Sequence, residues 1–232
     1  MAKRIINVSV TSDLLCPFCF IGKRSLEKAI RACPDLDVRV RWHPFLLDPT
    51  QTDKPEDRQE RLARKFGGLE RVAIMQQRLQ RRGEHDGLPF QWNGEIASSL
   101  PAHQLIDYAG NAAHQGDHIK QNAVVESLFH SYFEQGKTPN DISMLLDAAE
   151  AGGLNRQDVK TYLSRGENAD QVQSEAQNAS RRGIRGVPHF VIEHKHVISG
   201  AQDPEAFIEA LRDIASDNST KQDASKCDAN SC

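Results

Sequence analysis

The chain has 232 residues, enough for one large domain or two small ones with a core that needs no disulfide staples. Its 38% apolar and 26% charged residues are those of an ordinary soluble protein, and no apolar run approaches the ~20 residues of a membrane span. The 29 Lys and Arg against 32 Asp and Glu leave no charge excess pointing to nucleic acid or an anionic membrane, and the basic run at 78–82 reads as a solvated helix face.

Residues 4–10 (RIINVSV) are rich in Ile and Val and predict a buried strand. A helix is expected over 18–32, where Leu26, Ala29 and Ile30 recur at helical spacing. Cys33-Pro34 closes it, because the residue before a proline leaves the helical region. At the junction of strand and helix stands Cys16-Pro17-Phe18-Cys19. A thiol in the first turn of a helix faces unpaired backbone N–H groups and the positive end of the helix dipole. Both favour the thiolate, the reacting species in disulfide exchange. Cys19 lies one helical turn on, near enough to close a ring with Cys16. Val38, Val40 and Trp42 then alternate with Arg39, Arg41 and His43 as a half-buried strand, which completes a β-α-β unit.

From about residue 55 to 183 the strand signals nearly vanish. Helices are expected over 55–66, 69–82, 101–113, 119–135, 141–152, 155–166 and 169–183. Asn140 or Asp141 opens one of them, Gly152-Gly153 ends it, and Gly136 ends the one before. The stretch 85–98 is irregular. Strand signals return at 189–193 and 196–199 as a hairpin, and Asp203-Pro204 starts a last helix with Phe207, Ile208, Leu211 and Ile214 on one face. From Ser216 the chain is polar and without apolar period. The expected architecture is α/β. A first domain combines 1–50 with 184–216, an all-α insertion spans 51–183, and a disordered tail spans 217–232.

A lone C-x-x-C is open to three readings: a redox dithiol, half of a zinc site, or two incidental thiols. The strand-then-helix setting favours redox chemistry. A second constellation, Gly186-Val187-Pro188-His189-Phe190, stands directly before a strand. A proline is acceptable there because the first strand position need not donate to the ladder, and an X–Pro bond adopts the cis form at a cost of only ~0.5–1 kcal/mol.

Taken together, CPFC after the first strand, GVPHF before a hairpin, the Gly200-Ala201-Gln202 turn and the helical insertion resemble the DsbA-type branch of the thioredoxin superfamily. The chain is most similar to the FrnE-like group, through Asp13, CPFC with Ile21-Gly22, Ser98 through His103, and GVPHFVI followed by GAQ. The resemblance covers nearly everything from residue 4 to 215. It implies a thioredoxin fold interrupted by a helical domain. It also implies a cis Pro188 lying against the cysteine pair, with the Val187 backbone offered to an extended substrate. Kappa-class glutathione transferases and 2-hydroxychromene-2-carboxylate isomerases resemble the chain in architecture, but carry serine where this sequence has Cys16. A glutathione-dependent transferase or isomerase is therefore the alternative function.

The expected activity is thiol–disulfide exchange on protein disulfides or dithiols, with Cys16 and Cys19 catalytic and Pro17, Phe18, Val187 and Pro188 in support. No metal or resident cofactor is expected; glutathione stays open as a thiol reductant or mixed-disulfide partner. Neither nucleic acid nor membrane is an expected partner. Phe18 supplies no positive charge to tune the thiolate. Cys227 and Cys232 form a C-x4-C pair, read as incidental, as a second redox dithiol that exchanges with or guards Cys16–Cys19, or as zinc ligands together with that pair. Cys33 reads as a buried packing thiol. Asn93, Ser99 and His103 fall near the irregular segment, with His103 read as a structural helix residue. With no apolar leader after Met1, the expected compartment is cytoplasmic.

Overall fold

The computed structural model describes residues 3–114 and 116–217. Cys227 and Cys232 lie outside the described residues.

Strand β1 (Arg4–Ser12) alternates as its sequence dictates: Ile6, Val8 and Val10 are buried, while Ile5 is exposed. It continues two residues past the apolar run, because Thr11 and Ser12 still pair with the neighbouring strand. Helix α1 (Pro17–Ala32) follows and ends at Cys33, whose N–H bonds the Ile30 carbonyl. Strand β2 (Leu36–Pro44) then lies parallel to β1, with Val8 opposite Val40 and Val10 opposite Trp42.

The helical block holds α2 (Arg58–Phe66), α3 (Leu69–His85), α4 (Leu100–Gly110), a short 3-10 turn at Ala112–His114, α5 (His118–Phe133), α6 (Ile142–Ala151), α7 (Arg156–Ser164) and α8 (Ala169–Arg181). Asp141 caps α6 by accepting from the Ser143 and Met144 N–H groups. Two details differ from expectation. Glu56–Asp57 (β3) is not helical but pairs antiparallel with Glu95–Ile96 (β4), inside the stretch expected to be irregular. Two-residue strands carry no periodicity to read. The helix before Gly136 ends at Phe133 with Glu134 as its C-cap, so this glycine lies in the connection that follows, at φ 67°.

Strands β5 (His189–Ile192) and β6 (His196–Ser199) form the hairpin, and β5 runs antiparallel to β1. The sheet order is β2-β1-β5-β6, which puts β1 at its centre. Helix α9 (Pro204–Ser216) packs on α1 and β1, with Phe207 edge-on to Phe190. Helices α4, α5 and α8 pack on β2, so the helical block is built directly onto the sheet edge.

Helix α1 is locked to that block by two devices. Phe20 is fully buried and stacks on Phe129 of α5 at 5.1 Å, a pair worth about 0.5–1.5 kcal/mol beyond its buried area. One turn on, Lys23 is 1% exposed, and its ammonium is paired with Glu27 and with Glu126 of α5 at 2.6 Å. A buried unpaired ammonium would cost several kcal/mol, so Glu126 fixes where α1 can sit. Burial pushes the Glu126 carboxyl up, but its Arg24 hydrogen bond and the Lys23 charge outweigh that and hold it at about 2.

Two expectations follow from this packing. Glu126 has a depressed pKa, so its contribution to stability is complete above the ordinary carboxylate value and is lost as pH falls toward about 2. Urea midpoints measured down the acid range fall accordingly, and Glu126→Gln flattens that part of the curve. Gly22 faces the β5 approach: a Cβ there would lie 2.9 Å from Pro188 Cγ and 3.0 Å from Phe190 Cζ. Gly22→Val destabilises by about 1–3 kcal/mol through overpacking. In the same urea titration, an unchanged midpoint would contradict the close approach.

Candidate active site

Strand β1 delivers the chain into a tight turn that ends at Cys16. The Cys16 N–H bonds the Asp13 carbonyl at 3.1 Å, and the Asp13 carboxylate accepts from the Leu15 N–H at 3.2 Å. That carboxylate is fully buried. It also accepts from the Leu47 N–H at 2.8 Å and the Ser99 hydroxyl at 2.8 Å. A buried carboxylate must be satisfied in this way, and Asp13 thereby joins the β1–α1 turn to the segment after β2 and to the start of α4.

Cys16 occupies the N-cap of α1 in extended conformation, and Pro17 takes the first helical position, where no N–H is needed. The Cys16 thiol donates to the Val187 carbonyl at 3.4 Å. The Val187–Pro188 peptide is cis, and the Pro188 carbonyl is held by the Gly200 N–H at 2.8 Å. The two motifs, about 170 residues apart in sequence, therefore meet at the Cys16 sulfur.

The two thiols are unequal. Cys16 is 5% exposed and Cys19 is 0% exposed; both are free thiols in this structure, as is the buried Cys33. Burial pushes the Cys19 thiol well above its ordinary value, and the hydrogen bond and charge at Cys16 push it further. The neighbouring Ser12 hydroxyl and Asp13 backbone pull the other way without cancelling the rise. Cys19 therefore holds its proton more tightly than a free thiol does. His189, at the start of β5, has its pKa lowered by burial and adds no positive charge at neutral pH.

Beside Cys16 opens a cleft of about 330 Å³ lined by Phe18, Val187, Leu62, Met75, Trp92 and Arg58. Phe18 is 47% exposed at its mouth. Arg58 is buried at its wall, donating to the Gln91 and Tyr132 carbonyls at 3.2 Å and lying 3.9 Å over the Tyr132 ring. Burial lowers its pKa and raises that of Tyr132 to about 12. Neither residue stood out in the sequence: Arg58 belongs to a charged helical run, and Tyr132 to an apolar one. Of the residues expected near the cleft, Ser99 and His103 instead gather at Asp13, and Asn93 sits against Gly136.

The exposure difference predicts selective alkylation. Under native conditions iodoacetamide modifies Cys16 ahead of Cys19 and Cys33 by at least tenfold, as peptide mass mapping of the reduced protein would read; equal labelling of Cys16 and Cys19 would contradict the geometry.

Comparison with known proteins shows what the chain as a whole is similar to. The chain is 27% identical over 213 residues to the uncharacterized protein YwbO of Bacillus subtilis (strain 168), covering 90% of this chain and 96% of that one. The crystal structure of a probable DsbA oxidoreductase, SCO1869 from Streptomyces coelicolor, superposes with a TM-score of 0.78 at 27% identity, covering 92% and 91% of the two chains. The cytosolic disulfide reductase DsbM from Pseudomonas aeruginosa, solved with GSH, shares the fold at a TM-score of 0.57 and 19% identity, covering 90% and 98%. The family model for the DSBA-like thioredoxin domain matches residues 7–212, and the chain belongs to that family.

Proposed function

We propose that this protein is a thiol–disulfide oxidoreductase that acts on protein disulfides or dithiols through Cys16. The observation that carries this reading is the Cys16 sulfur at the α1 N-cap, 3.4 Å from the Val187 carbonyl, with Cys19 buried behind it. In the reducing direction the Cys16 thiolate attacks a substrate disulfide. One substrate sulfur leaves as a thiolate and takes a proton from water, and the other stays bound to Cys16 as a mixed disulfide. Cys19 then loses its proton and attacks the Cys16 sulfur, which expels the second substrate sulfur and leaves a Cys16–Cys19 disulfide. Two electrons pass from the dithiol to the substrate; the reverse sequence oxidises a substrate dithiol.

Each part of the site has a task in this scheme. The edge of the Gly186–Pro188 segment receives an extended substrate, whose backbone lies beside the Cys16 sulfur. The apolar cleft receives side chains flanking the substrate cysteine, and Phe18 covers the outer face of the pair. Glutathione fits as the thiol that returns the Cys16–Cys19 disulfide to the dithiol. A cysteine at position 16 favours exchange over the glutathione-conjugating or isomerising alternative, because it forms a covalent bond to the substrate sulfur, which a serine does not.

Turnover of insulin disulfides tests the reading. Cys16→Ser abolishes reduction, and Cys19→Ser stalls at a substrate mixed disulfide visible on non-reducing gels. Retained activity in Cys16→Ser would overturn the assignment.

A further inference from the structure

The apolar cleft beside Cys16 carries a charge that the exchange chemistry leaves unused. Arg58 lines this cleft, is 2% exposed, and has no carboxylate paired with it among the described residues. Of the five N–H donors a guanidinium offers, one on each Nη goes to the Gln91 and Tyr132 carbonyls, and Nε has no partner. The Tyr132 carbonyl belongs to the last turn of α5, whose dipole offers roughly half a negative charge. Part of a buried positive charge is thus left without a counter-ion, which is costly in a packed interior. The other basic groups of the cleft differ: Arg61 is paired with Asp48, and Lys65 is exposed.

The Arg58 guanidinium lies 3.9 Å over the ring of Tyr132. Tyr132 lines the same cleft, and its hydroxyl has no hydrogen-bond partner among the described residues. Burial raises its pKa to about 12, so the hydroxyl keeps its proton and remains a donor through the neutral range. A donor without an acceptor and a cation without a counter-ion therefore stand together in a cleft whose other walls include Leu62, Met75, Trp92 and Phe133. Apolar walls strengthen both, because little water screens them.

We infer that Tyr132 and Arg58 form a carboxylate subsite, which selects disulfides whose cysteine is flanked by an apolar residue and an acidic one. The inference rests on the exchange reaction set out above and names the substrate class of that same site. The apolar side chain of the substrate enters the cleft against Met75 and Trp92. The Tyr132 hydroxyl donates to the adjoining carboxylate, and the Arg58 charge behind the ring balances it. Taking a carboxylate out of water is costly, and the cost is offset where a donor and a cation are already fixed in place. A carboxamide of the same shape gains no charge pairing and is held less tightly. The segment so held presents one sulfur to the Cys16 thiolate, while the other leaves as a thiolate and takes a proton from water.

The test measures Cys16 attack on peptide disulfides that differ in one functional group. Symmetric disulfides of end-blocked Cys-Phe-Glu and Cys-Phe-Gln form one pair, and those of Glu-Phe-Cys and Gln-Phe-Cys the other, so both chain directions are covered. Full-length protein carrying Cys19→Ser, Cys227→Ser and Cys232→Ser keeps the adduct on Cys16, and acid quenching with mass spectrometry follows its formation. Each rate is divided by that of 2-mercaptoethanol with the same peptide, which removes intrinsic differences between the disulfides. In at least one pair the Glu peptide reacts about tenfold or more faster than its Gln counterpart, as charge-assisted hydrogen bonding requires. The preference survives about 0.5 M sodium chloride, which screens the exposed Lys65 but not a buried charge. Arg58→Met and Tyr132→Phe each bring the ratio below about threefold, and Arg58→Lys, which keeps the charge, retains most of it. A merely structural defect would slow both peptides alike and leave the ratio unchanged. A ratio near one in both pairs, a ratio abolished by salt, or a ratio unchanged in both variants overturns the subsite and leaves exchange intact. Should Arg58→Met fail to fold, Tyr132→Phe decides on the same ratio. Absence of any Cys16 adduct would instead overturn the exchange reading, and the subsite with it.

Discussion

A single buried carboxylate holds the candidate active site together. Asp13 stands at the end of the central strand with no exposed surface, and its two oxygens accept from Leu15, Leu47 and Ser99. Hydrogen bonds to a charged group are worth about 1.5–3 kcal/mol each, and leaving such a group unpaired in the core costs at least as much. The turn carrying Cys16, the segment leaving β2 and the first turn of α4 are therefore constrained to converge on one point. Separate any of the three and a carboxylate is left buried without its partners. The helical block is thus tied to the thiol-bearing turn by hydrogen bonds, and again one turn further along α1 by Phe20 and Lys23.

From that constraint the unequal treatment of two identical side chains follows. Cys16 falls at the helix start, where backbone N–H groups lack helical partners and a cleft opens beside it. Cys19, one turn on, is driven into the core beneath it. The sequence C-x-x-C places two thiols near each other; burial distinguishes them. On the opposite side Gly22 allows Pro188 and Phe190 to approach α1 more closely than any other residue would, so the loop that faces the sulfur is set by the absence of a side chain.

Much of this was legible in the residues. The period-two alternation around Val8 and Val40, the helical spacing after Pro17, and the paired motifs at 16–19 and 186–190 gave the β-α-β and β-β-α halves because burial on one face leaves a regular pattern. What escaped was buried polarity. Arg58 reads as part of a solvated helix, and Tyr132 as one more core aromatic. Arg58 takes its meaning from Gln91 and Tyr132, 33 and 74 positions away, which no local period encodes. His103 illustrates the point: on α4 it has helical spacing and nothing more, and only the fold brings it against Asp13. The β3–β4 pair escaped for a different reason, since two residues are too few to carry a pattern.

The central claim is that Cys16 and Cys19 act as one reversible dithiol. Equilibrating the protein in glutathione redox buffers, quenching with acid and weighing the peptide that contains both residues tests it most directly. The account predicts a single two-electron transition between a dithiol peptide and one lighter by two hydrogens, with no more than a minor glutathione adduct. A peptide that accumulates glutathione on Cys16 and never closes onto Cys19 would contradict it.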